Sequence, residues 1–146
     1  MQAWWVRHQV LSAVRSAQSV RLEEFRGDVV LTQVELTAGQ RAAVGAALPM
    51  VPDFGLPGVI PLCFSPHHRI IARDGSGAEF TFTVCFGCEN AEIKQGPIFM
   101  TPWLWHASLR RLFTDHNIPI RSLSDYSKPV ATNTPNTTPE PPATAP

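Results

Sequence analysis

The chain has 146 residues, twelve basic and twelve acidic side chains, and no net charge. That length suits one domain with its own core. The balance argues against a general nucleic-acid binder, which would show a basic field, and no apolar run is long enough to span a bilayer.

Residues 3–16 carry Ala3, Val6, Val10, Ala13 and Val14 at helical spacing, with Arg7 and Arg15 off that stripe. This predicts an amphipathic helix docked on a sheet. A membrane-surface or partner-binding helix is the alternative, and two arginines do not favour it. The first charges follow Trp4 and Trp5 rather than precede them. A secretory leader has the reverse order, so a cytoplasmic protein is expected. The odd count of three cysteines agrees with a reducing compartment.

Residues 19–25 and 29–36 read as strands joined at Arg26-Gly27-Asp28. A glycine-containing hairpin turn explains that tripeptide better than an integrin-type recognition loop does. Val30, Val34 and Leu36 are expected on one strand face at period two, with Thr32 between them. Thr37-Ala-Gly-Gln40 is a capping box for a helix that Pro49 and Pro52 stop. A Pro- and Gly-rich loop, 50–61, follows.

Residues 68–73 and 78–86 form the clearest hairpin, turning at Asp74-Gly75-Ser76-Gly77. Phe80, Phe82, Val84 and Phe86 share one face; Glu79, Thr81, Thr83 and Cys85 share the other. Residues 90–94 suggest a further short strand. Thr101-Pro102 opens a last helix, with Thr101 as its cap and Trp105, Leu109, Leu112 and Phe113 as its buried stripe. Asn117 suits a left-handed stop before Pro119. Trp103 and His106, off that stripe, are either contact residues or packed against loops. From Lys128 the chain turns to Ala, Thr, Asn and Pro, a composition that predicts disorder. The expected architecture is therefore one α+β domain over 1–127, with an antiparallel sheet of about five strands, two to three packed helices and a disordered 128–146 tail.

Two turns hold all the cysteines: Cys63-Phe-Ser-Pro-His67-His68 and Val84-Cys85-Phe-Gly-Cys88. The hairpin between them returns Cys85 beside position 68. Three thiolates and one imidazole would saturate a tetrahedral zinc ion and leave no open position for water. Gly87 would let the second turn bend so that its sulfurs converge. Cys63, Cys85 and Cys88 are the expected ligands, with either His67 or His68 as the fourth. Against this stand buried, inert cysteines, a Cys85–Cys88 redox dithiol, and a nucleophilic Cys63 paired with His67 or His68. Glu89 beside Cys88, and a strand rather than a helix after it, disfavour the dithiol.

These two turns resemble a pattern found in small uncharacterised bacterial proteins. There Cys-Phe-x-Pro-Arg-His precedes a hairpin, Cys-Phe-x-Cys follows it, and a helix ends near a Gly or Asn stop. The similarity covers roughly residues 20–120. It implies a shared site, with His68 the ligand and His67 replacing an arginine, and it implies no reaction. The expected function is a non-enzymatic interaction or regulatory module stabilised by zinc through Cys63, His68, Cys85 and Cys88. An unidentified protein partner is compatible with this reading, and neither nucleic acid nor membrane is expected. A thiol redox or cysteine-dependent enzyme using Cys85 and Cys88 is the alternative.

Overall fold

One continuous antiparallel sheet carries the protein. The computed structural model describes residues 3–52, 63–93 and 96–129. The elements are α1 (Ala3–Ser16), β1 (Ser19–Arg26), β2 (Val29–Glu35), α2 (Ala42–Ala47), β3 (His68–Arg73), β4 (Glu79–Cys85), β5 (Asn90–Ile93), β6 (Ile98–Met100), α3 (Trp103–Asp115) and α4 (Leu123–Tyr126). The strand order is β2-β1-β3-β4-β5-β6, every pair antiparallel. The fold is thus α+β with six strands. The expected tail falls largely at 130–146, and the expected Pro/Gly loop largely at 53–62, both outside the described residues. Lys128 is still tied to the domain: its carbonyl accepts from Arg26, and its Nζ lies 2.7 Å from Asp125.

Period-two patterning puts Val20, Leu22, Ile70, Ala72, Phe82, Val84 and Ala91 on one sheet face. The buried stripes of α1 (Val6, Val10, Val14), α2 (Val44, Ala47) and α3 (Trp105, Leu109, Leu112, Phe113) complete that core. The indole N–H of fully buried Trp105 donates to the Pro49 carbonyl at 2.8 Å, so the ring brings no unpaired polar group inside. The opposite face carries most of the sheet's charged side chains, beside buried Ile71 and Cys85. There Glu23 lies between Arg21 and Arg69, at 2.5 and 2.6 Å.

Local chemistry accounts for most element boundaries. Gly27 adopts φ +58° in the β1–β2 turn. The Thr37–Gln40 box forms in both directions, Thr37 N–H to Gln40 Oε1 at 2.9 Å and Gln40 N–H to Thr37 Oγ1 at 3.3 Å, but it closes the turn that precedes α2 rather than capping the helix as expected: α2 starts at Ala42, after Arg41, with no side-chain cap. Asn117, at φ +60°, ends α3 in a Schellman motif, with Ile118 N–H bonded to Phe113 O and Asn117 N–H to Thr114 O.

Three further local expectations change. Thr101 does not cap α3: its hydroxyl donates to the Glu89 carbonyl at 2.9 Å, and the helix starts after Pro102. Glu89 itself, not Gly87, is the left-handed residue of the β4–β5 turn, at φ 55°. A bulge between Glu24 and Phe25 pairs Glu24 with Thr32 and Phe25 with Val30. Because opposed residues share a face, Thr32 then faces inward while Val30 does not. The strand β6 and the short α4 carry patterns too brief for periodicity to reveal. Among the described residues no helix is long and apolar enough to cross a membrane.

The left-handed position predicts that Asn117→Gly will leave stability within a few tenths of a kcal/mol. Asn117→Val should cost about 1–2 kcal/mol, the penalty for a side chain forced into that conformation. Urea unfolding of the two variants measures the difference.

Candidate functional site

The two cysteine turns do meet, but not around an ion. Cys63 and Cys88 are joined as a disulfide, with Cα atoms 6.2 Å apart. Cys85 is free and buried, and its thiol donates to the Ser65 carbonyl at 3.3 Å. His68 Nε2 bonds the Pro119 carbonyl at 2.8 Å. The expected zinc site of Cys63, His68, Cys85 and Cys88 is therefore not formed, and no group of three or more His, Cys, Asp or Glu able to hold a metal ion exists among the described residues.

The physical reason lies in the pleat. His68 pairs with Val84, so it shares Val84's inward face. Its ring sits edge-on to Phe86 and Phe113, with centroids 5.0 and 5.1 Å away. Cys85, one residue on, projects from the other face. The sheet stands between the imidazole and the thiol. On that outer face the Cys63–Ser65 segment crosses the strand ends. Asn90 Nδ2 donates to the Cys63 carbonyl at 2.9 Å, next to the Cys85–Ser65 bond.

A polar cluster surrounds the inward end of this region. Glu24 is wholly buried, beside His68 in the β1–β3 register. Its carboxylate accepts from Arg121 Nε at 2.6 Å, Tyr126 Oη at 3.0 Å and Thr32 Oγ1 at 3.0 Å. Burial alone would raise its pKa; the three hydrogen bonds and the Arg121 charge outweigh that and hold it below the usual carboxylate value. The same burial and bond push the Tyr126 hydroxyl well above its ordinary value. Burial also lowers His68, against the raising effects of the Pro119 bond and the Glu24 charge. His68 is therefore neutral near pH 7. Its Nε2 must carry the proton given to Pro119, because a carbonyl only accepts.

His67 takes a separate role. Its ring stacks on Tyr126 with centroids 3.5 Å apart and planes 9° from parallel. Nδ1 donates to the Phe25 carbonyl at 3.0 Å, which leaves Nε2 facing Ser65 Oγ at 3.4 Å. Together Ser65, His67, Arg110, Arg121, Ser122 and Tyr126 line a pocket of about 120 Å³. Phe86, Gly87 and His68 complete one wall. A Cβ at Gly87 would stand 3.1 Å from the Leu123 side chain, a tight contact that Leu123 would have to shift to relieve. His106 is not a free contact residue: it bonds the Phe86 carbonyl at 3.1 Å, whereas Trp103 is 76% exposed.

Sequence reading found the two turns and missed the pocket. Its acidic anchor, Glu24, lies in a strand that reads as ordinary, and Arg121 and Tyr126 lie 97 and 102 residues away along the chain. The one local hint was Ser122 with Asp125, a box at the start of α4. Asp125 Oδ2 accepts there from Ser122 N–H at 3.2 Å and from its hydroxyl at 2.7 Å.

Both shifted groups make the fold acid-labile. A His68 pKa depressed by folding means that stability is complete above the unfolded value of about 6.5 and declines as pH falls through it. The depressed Glu24 adds a second loss as pH falls from its unfolded value of about 4.3 through the folded one. Melting temperature between pH 8 and pH 3 should fall in these two stages. Glu24→Gln should remove roughly 2–4 kcal/mol at neutral pH and flatten the lower stage. Set against known proteins, the chain matches no family model, no curated protein and no solved structure.

Proposed function

We propose that this protein is a non-enzymatic binding module whose pocket is latched by the Cys63–Cys88 bridge. One observation supports the reading above the others. The bridge joins the segment that supplies Ser65 to the turn that supplies Phe86 and Gly87, and all three line the same pocket. The latch holds two walls that share no strand pairing of their own.

The bridge also bears on regulation. Cys63 is exposed and Cys88 half-buried, so a small dithiol reaches the bond. Reduction would convert the cystine to two thiols while the dithiol becomes a disulfide, and it would free the two walls. A cystine of this kind persists in an oxidising compartment. That sets this reading against the cytoplasmic location expected from the cysteine count. The thiol-enzyme alternative needs Cys85 and Cys88 as a working pair. In this state Cys88 is engaged with Cys63, and Cys85 is buried with its thiol on a carbonyl.

Thiol counting tests the latch. Protein denatured without reductant should show one free thiol, Cys85, and three after reduction. Peptide mapping should recover Cys63 linked to Cys88. The bridge spans 25 residues, so reduction or a Cys63→Ser/Cys88→Ser double change should cost about 3–4 kcal/mol of stability. A Cys85–Cys88 linkage that cycles with external thiols would replace this reading with the redox one. Three free thiols in air-purified protein would remove the latch altogether.

A further inference from the structure

Two guanidinium groups from separate elements converge on the latched pocket. Arg121 follows α3 and spends Nε and part of Nη2 on Glu24, at 2.6 and 3.5 Å. Its side chain stays 45% exposed, with Nη1 unengaged by any described residue. Arg110 projects from α3 over the Phe86 ring, 5.3 Å from its centroid. It forms no ion pair with any described residue, so the aromatic face positions it while its donors stay open.

The pocket lining contains no carboxylate. Two acids close to it are committed elsewhere. Glu24 lies beneath Arg121 with its oxygens filled by Arg121, Tyr126 and Thr32. Asp125 is held by Ser122 and Lys128. The lining thus has an excess of positive charge within a chain of no net charge. One hydroxyl adds to it. Ser65 Oγ meets His67 Nε2 only at 3.4 Å, a loose contact that a ligand oxygen can replace. Ser122 also lines the pocket, but its hydroxyl is spent on Asp125 Oδ2 at 2.7 Å.

We propose that this pocket binds a phosphoryl-sized oxyanion, either free or as the end group of a larger molecule. The proposal rests on the binding-module reading above and names its ligand class. A volume of about 120 Å³ holds roughly four waters at ~30 Å³ each, or one tetrahedral anion with a bridging water. A planar carboxylate is satisfied by one guanidinium fork. Two forks arriving from different elements suit an anion that presents oxygen edges in more than one plane. His67, with Nδ1–H fixed on Phe25, turns Nε2 toward Ser65 and the pocket, where it can accept from a protonated phosphoryl oxygen.

The test is titration of the full oxidised chain with inorganic phosphate at constant ionic strength, followed by amide NMR shifts. Saturable shifts at residues 65, 67, 68, 86–88, 110 and 121–122 are expected at millimolar phosphate. Arg110→Gln should weaken binding by about tenfold or more, the loss of a charge-assisted pair. Arg15→Gln, on the exposed side of α1, should leave it unchanged. Thermal unfolding checks that both variants are folded. Acetate should bind at least about tenfold more weakly than phosphate. Phenyl phosphate equalling or exceeding phosphate would identify an end group, and phosphate alone binding would identify the free ion; either supports the site. Absence of saturation, acetate matching phosphate, or equal loss in the two arginine variants would overturn it. Thiol counting reports separately on the latch, so phosphate binding to a chain with three free thiols would sink the latch and keep the anion site.

Discussion

A carboxylate buried near the end of β1 sets the arrangement of the stretch that carries Arg121 and Tyr126. Glu24 could not lie in the interior unpaired, because removing a charge from water costs several kcal/mol even after relaxation. Its partners come from β2 through Thr32 and from the segment after α3 through Arg121 and Tyr126. The bulge in β2 is part of the same requirement: it brings Thr32 opposite Glu24 and turns Val30 away. Satisfying one acid thus anchors the stretch beyond the last long helix. That anchoring places Tyr126 under His67 and Arg121 at the pocket rim. The polar rim exists because the charge beneath it had to be matched.

Much of the fold was legible because strong local patterns coincide with it. The α1 stripe, the Thr37–Gln40 box, the Phe82–Val84 alternation, the α3 stripe and the Asn117 stop all depend on neighbours within a few residues. What escaped was brief or remote. β6 has three residues and α4 has four, too few for any period to declare itself. The Val30 face was misread because a bulge shifts register, and nothing in Val-Val-Leu-Thr marks one.

The site was half legible. Alternation correctly carries Cys85 away from the phenylalanine face, and the hairpin does bring its two ends together. The same alternation, applied to the partner strand, sends His68 inward with Val84 and so removes it from the thiols. The zinc expectation failed on that unapplied step: nearness along a ladder is not nearness through a sheet. Pairing of Cys63 with Cys88 could not be read from spacing, since three cysteines permit three pairings. The pocket was invisible because its walls come from four separated stretches joined by long-range hydrogen bonds.

The bridge has a topological consequence for the central hairpin. Cys63 precedes β3 and Cys88 follows β4, so the crosslink closes a covalent ring that contains both strands and the turn between them. The turn, Asp74–Gly77, is the exposed extremity of that ring. Its shape is held by Asp74, whose Oδ1 accepts from Ser76 N–H, the Ser76 hydroxyl and Ala78 N–H. A protease cutting there would open the ring without dividing the molecule. The two halves would remain one covalent species, with β3 and β4 still tethered at their far ends. Only a cut combined with reduction would give two separable fragments.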